Sequence, residues 1–122
     1  MKADRLMVLL CGLMIAVTAW ALAETDPGNL ENGQSLYQNH CLRCHGARLD
    51  GKGPDAASLN VQPTDFHTYL SPLKGRLELE VPIRQGRQLT PMHAWDTALT
   101  DQQVDDLVAY IHSAVSPLEV KP

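Results

Sequence analysis

The five residues Cys41-Leu42-Arg43-Cys44-His45 constrain this chain more than any other stretch. They set two thiols three positions apart, with an imidazole directly behind the second. Three chemistries use such a pair. A structural zinc site needs four ligands, drawn as a rule from a second C-x-x-C or a paired histidine. No second pair exists here. A thioredoxin-like redox pair belongs in a βαβ unit. No strand–helix alternation is present, and His45 has no part in that chemistry. The third is covalent attachment of a c-type haem, whose signature is C-x-x-C-H. Each thiol bonds one vinyl group of the porphyrin, and the histidine binds the iron from the proximal side.

Other properties agree. A length of 122 residues suits one domain rather than two. A net charge of −4 argues against nucleic-acid binding, which wants a basic face. Hydrophobic residues at 44% indicate a globular chain, yet aromatics at 5% are sparse for filling a core. A porphyrin supplies the missing large, flat apolar body.

Lys2 and Arg5 precede an uncharged run from Leu6 to Ala23 that ends in Ala21-Leu22-Ala23. Residues 1–23 therefore read as a secretory signal peptide cut before Glu24, leaving 24–122 as the haem domain in the periplasm. The alternative is an uncleaved anchor facing the periplasm: the run sits at the lower limit for a membrane span, and Trp20 suits an interface. After cleavage no stable membrane insertion is expected. Cys11 leaves with the leader. Cys41 and Cys44 are both needed for haem, so no disulfide is expected. The leader carries Lys2, Arg5 and Asp4, a net +1, so the remainder carries −5 rather than −4.

The helical pattern is read from spacing. Leu30, Gly33 and Tyr37 share one face of a helix from Leu30 to about Cys44. Residues 46–73 are loop-rich, and Leu59, Val61, Phe66 and Leu70 are the candidate apolar contacts to the porphyrin. Residues 46–52 resemble the start of a phosphate-binding loop, but Gly53 stands where Ser or Thr is required and no strand precedes it. Leu77–Gln85 is a short helix stopped by Gly86. Pro82 fits only if that helix starts near Leu79, within whose first turn N–H groups are unpaired anyway. Thr100 and Gln103 form a capping box. Val104, Leu107, Val108, Ile111 and Val115 then mark one face of a last helix over about 101–115, ended by Pro117. No strand pattern appears, so the class is all-α.

For the distal side of the iron, Met92 is the methionine outside the leader, where Met1, Met7 and Met14 lie. Its thioether suits ferrous iron. His93 and His67 are the alternative ligands, and an open site is a third possibility. His40 and His112 have weaker claims.

These features together resemble the class I cytochromes c, small monohaem electron carriers, over about residues 28–115. Gly33, Tyr37 and Cys41-x-x-Cys44-His45-Gly46 are similar to the family's first helix and haem motif. Leu107-Val108-Ala109-Tyr110-Ile111 is similar to its last. Gly51-x-Gly53-Pro54 and Gly86-x-x-x-x-Pro91-Met92-x-x-Trp95 resemble a bacterial branch. The resemblance implies three to four short helices wrapped around one covalent haem c. It also implies first and last helices crossing, with Gly33 near Tyr110, the Pro54 carbonyl against the His45 ring nitrogen, and Tyr110 among the residues packing on the haem. Pro82 and His93 depart from that pattern.

Iron with both axial positions filled admits no substrate. The expectation is thus a periplasmic one-electron carrier and not an enzyme. It would serve redox protein partners, and the acidic charge favours one with a basic docking patch. Two other readings stay open: an electron-transfer subunit of a larger periplasmic dehydrogenase or oxidase, and a haem sensor or catalyst with a displaceable distal ligand.

Overall fold

The computed structural model describes residues 28–69 and 75–115. The leader, Leu70 and Pro117 lie outside the described residues. Helix α1, Leu30–His40, begins where the Asn29 side chain accepts a hydrogen bond from the Asn32 N–H at 3.0 Å. That satisfies one of the four donors a helix start leaves open. Its buried face is Gly33, Leu36 and Tyr37, while Leu30 is exposed in the first turn.

The single helix expected to Cys44 is interrupted at Cys41, where the chain turns and restarts as α2, Leu42–His45. Gly46, at φ 84°, ends α2 in a conformation that favours glycine. The following loop holds a single 3₁₀ turn, Ala56–Ser58, and one turn of helix, α3, Phe66–Tyr69.

Helix α4 covers Leu77–Gln85, as its pattern predicts. It does not shorten to accommodate Pro82, which sits in the second turn. The first turn is secured instead by the Gly75 and Arg76 carbonyls, which accept from Glu78, Leu79 and Glu80. Burial of Leu79 and Ile83 offsets the bond that Pro82 cannot make. Helix α5, Asp101–Val115, carries the expected capping box: Gln103 N–H donates to Thr100 Oγ1 at 3.2 Å, and Thr100 N–H to Gln103 Oε1 at 2.9 Å. No strand is present among the described residues.

The main interhelical contact is α1 against α5. Tyr37, Val104, Leu107, Val108 and Ile111 are its inaccessible centre. Gly33 makes the close approach possible: a Cβ there would fall on the Asp106 carbonyl and 2.8 Å from Tyr110 Cβ. Gly33→Ala must therefore push two backbones apart. We expect a loss of about 1–3 kcal/mol or more, read from the denaturant midpoint of the haem-loaded protein; an unchanged midpoint would contradict this packing.

One buried carboxylate joins the same two helices. Asp106, 3% exposed, accepts from Asn29 N–H at 2.7 Å, Asn32 Nδ2 at 2.6 Å and Gln102 Nε2 at 2.9 Å. Burial alone would raise its pKa, but the three donors outweigh it and hold the carboxyl below the ordinary carboxylate range. A depressed folded pKa stabilises the native state above the unfolded value, and that stability is lost as pH falls through the folded pKa. Asp106→Asn should remove this share of the acid sensitivity, measured as a flatter dependence of melting temperature on pH below about 5.

Candidate haem site

Cys41, Cys44 and His45 stand at i, i+3 and i+4, a spacing that shares one side of a helical turn. All three line one cavity of about 250 Å³. Its other walls come from Leu59 and Phe66 of the loop, Leu79, Pro82 and Ile83 of α4, and Met92, His93 and Trp95 beyond it. The motif's thiols are free cysteines. Burial, with Cys44 beside it, pushes the Cys41 thiol up to about 12, so it stays protonated near neutral pH.

The backbone of the motif is held by residues that follow it. Gly51, Gly53 and Asp55 donate their N–H groups in turn to the carbonyls of His45 (2.9 Å), Cys44 (3.1 Å) and Arg43 (2.9 Å). These are the carbonyls that a helix end leaves open. A Cβ on Gly53 would fall on the Arg43 carbonyl, so only glycine admits this clasp. The Asp55 carboxylate adds a two-pronged ion pair to Arg43, at 2.6 and 2.8 Å. The Tyr37 hydroxyl donates to the Gly46 carbonyl at 2.8 Å and ties the turn to α1.

His45 is fixed from two sides. Phe66 stacks on its ring at 4.9 Å between centroids and 23° between planes. Its Nδ1 lies 3.3 Å from the Thr64 carbonyl. The family pattern assigns that carbonyl to Pro54; here it belongs to Thr64, and Pro54 is exposed and apart from the cavity. The reason is the path of the loop: the clasp turns Pro54 outward and carries residues 64–66 across His45. A carbonyl only accepts, so Nδ1 carries the proton and Nε2 keeps its lone pair for a metal. Burial lowers the His45 pKa, with the Thr64 bond opposing it, so the ring is neutral near pH 7.

Met92 lines the same cavity and is partly buried against the core. Its loop is pinned to the end of α4: Arg87 N–H donates to the Met92 carbonyl at 2.8 Å, and Trp95 N–H to the Ile83 carbonyl at 3.0 Å. His93 also lines the cavity, and its ring lies 4.4 Å from that of Trp95. His40 packs on Trp95 at 5.1 Å. His67 is exposed, with Nε2 2.7 Å from the Arg48 carbonyl, and does not line the cavity; nor does His112. Leu59 and Val61 line it as expected. Tyr110 does not: it packs on Tyr37, centroids 5.6 Å apart, because Gly33 draws it into the α1–α5 contact. Thr64, the Gly51–Asp55 clasp and Asp106 were invisible in the sequence pattern.

Residues 30–114 match the model of the cytochrome c family. This chain belongs to the cytochrome c family. Its cofactor is haem c, joined covalently, and its role is electron transfer. The cytochrome is 38% identical over 106 residues to the dihydro-heme d1 dehydrogenase of Pseudomonas aeruginosa, an overlap of 86% of this chain and 19% of that protein. It thus spans about a fifth of that relative's length. It is 29% identical over 92 residues to cytochrome c6 of Bryopsis maxima, covering 73% of this chain and 96% of the other. A chain of the Kuenenia stuttgartiensis reducing HAO-like protein complex has the same fold, with a TM-score of 0.66 and 24% identity over 75% of this cytochrome and 44% of that chain. Among the described residues no helix is long and apolar enough to cross a membrane.

Proposed function

We propose that Cys41 and Cys44 hold the haem, that His45 and Met92 are its axial ligands, and that the domain is an exported one-electron carrier rather than an enzyme. The observation that carries this reading is one largely apolar cavity bounded by both thiols, His45 and Met92. Haem c held there supplies a one-electron iron couple. The protein's own part is positional. The Thr64 carbonyl sets the His45 tautomer, Phe66 holds the ring plane, and the bonds from Arg87 and Trp95 keep the Met92 loop over the cavity. With His45 and Met92 both committed to the iron, the protein would leave no position on it for a substrate.

Export is tested by intact mass: the protein should weigh as residues 24–122 plus one haem, and retention of 1–23 would mean an anchored form. The partner is a redox protein. The acidic excess favours encounter with a basic one, but the charged residues lining the cavity, apart from histidines, are Glu78 and Arg87, one of each sign. A second reading, an electron-entry module of a larger dehydrogenase, is favoured by the relative in which this domain is a fifth of the chain. Gel filtration of the native protein separates the two: a carrier elutes alone, a subunit with its enzyme.

A further inference from the structure

The loop that carries Met92, residues 87–95, takes its shape from α4. Arg87 N–H donates to the Met92 carbonyl, Trp95 N–H to the Ile83 carbonyl and Asp96 N–H to the Arg84 carbonyl, at 2.8, 3.0 and 3.3 Å. A Cβ on Gly86 would stand 2.7 Å from the Met92 carbonyl and 2.8 Å from the Ala94 nitrogen. The loop and the end of α4 are thus closed on each other as one unit. That unit is tied less firmly to the rest of the fold. Among the described residues α4 packs on α5 and on no other helix. Leu79 and Ile83 are its buried anchors. The ion pairs on that seam, Arg84 with Asp101 and Arg76 with Asp105, lie at the surface and add little.

A direct contact crosses from this loop to the haem-attachment turn. Trp95 lines the cavity, and its ring meets that of His40 with centroids 5.1 Å apart and planes tilted by 57°, the spacing of a favourable aromatic pair. His40 is the last residue of α1 and stands next to Cys41. The Trp95 backbone is fixed on both sides. Besides its bond to Ile83, its carbonyl accepts from Ala98 N–H at 3.0 Å and from Leu99 N–H at 2.9 Å, and Leu99 is buried. The indole is therefore aimed at His40 from a rigid base. His93 lies 4.4 Å from the same indole, but it belongs to the loop itself, so it stiffens the loop without tying it to another element.

We propose that Trp95 is a positioning residue: its indole, seated on His40, holds the Met92 loop to the Cys41–His45 turn and so sets how often Met92 lets go of the iron. This deepens the ligand reading given above and rests on it. A unit with few buried anchors opens locally, well below the cost of unfolding the whole domain. With the indole seated, such an opening must break the α4–α5 contact and the His40 contact together. Without it, only the α4–α5 contact resists.

The test is imidazole binding to the ferric, haem-loaded protein. Imidazole takes the position that Met92 vacates, so with rising imidazole the observed rate levels off at the rate of loop opening. Trp95→Leu should raise that plateau about tenfold, and Trp95→Phe, which keeps an aromatic seat, much less. His40→Ala should raise it about threefold in the parent and leave it unchanged in Trp95→Leu, because both substitutions remove one contact. Leu30→Asn, at the other end of α1, should not move it. In urea, Trp95→Leu should lose the far-red band of methionine-ligated ferric haem well before its helical ellipticity, whereas a merely structural loss moves both together. Plateau rates within about twofold of the parent in both Trp95→Leu and His40→Ala overturn the proposal. So does a full effect of His40→Ala in the Trp95→Leu background, or loss of band and ellipticity together. A parent that lacks the far-red band overturns the Met92 reading itself, and is recognised before any rate is measured.

Discussion

With Cys41 and Cys44 both changed to alanine, the chain should carry no haem through a denaturing gel after acid-acetone extraction, a complete loss against the parent. Both thiols border the cavity, no other cysteine stands among the described residues, and neither thiol has a competing disulfide. The same variant should lose its cooperative thermal transition. Leu59, Phe66, Leu79 and Ile83 close around the cavity, and without the cofactor their apolar surface has no large body to pack on. Retained haem stain would contradict the attachment outright. A folded, cooperative apoprotein would contradict only the second part, and would mean that the α1–α5 contact suffices alone.

The second large effect concerns Met92. Met92→Ala should admit carbon monoxide to the ferrous protein, which the parent excludes, and abolish the far-red band of methionine-ligated ferric haem. The reduction potential should fall by a sizeable part of the roughly 0.8 V that axial ligands command. His93→Ala should do none of this. Its ring is engaged with Trp95, itself anchored to α4 through the Ile83 carbonyl. Exchange of the two behaviours would make His93 the ligand and the protein a bis-histidine cytochrome of lower potential.

Much of this site was legible in the sequence because it rests on local spacing. Cys41, Cys44 and His45 are neighbours in the chain, and their chemistry follows from their types. The last helix was legible because five apolar residues recur at helical period behind a capping box whose two bonds are both present. What escaped depends on where a loop goes. No pattern distinguishes the Thr64 carbonyl from that of Pro54 until the Gly51–Asp55 backbone is seen lying along α2. Tyr110 was expected both near Gly33 and against the haem; it stands near Gly33, packs on Tyr37 and does not line the cavity, because the close approach of the two helices fixes its place. Nothing in the helical pattern singles out Asp106 on α5. Its burial is satisfied by the Asn29 N–H and the Asn32 side-chain amide, brought from the start of α1, and by the Gln102 amide one turn before it on α5.

The seam between α1 and α5 also decides how such a domain can be built into other proteins. The first described residue lies against the middle of the last helix: a Cβ on Gly28 would stand 2.8 Å from that of Ala109. Described exit is at Val115, only about 9 Å further along the helix axis at 1.5 Å per residue. A polypeptide that enters and leaves at neighbouring points can be spliced into a longer one without disturbing either side's fold. The haem pocket, formed by the middle of the chain, is untouched by what is joined at that seam. A unit of this shape is suited to joining at both ends through linkers.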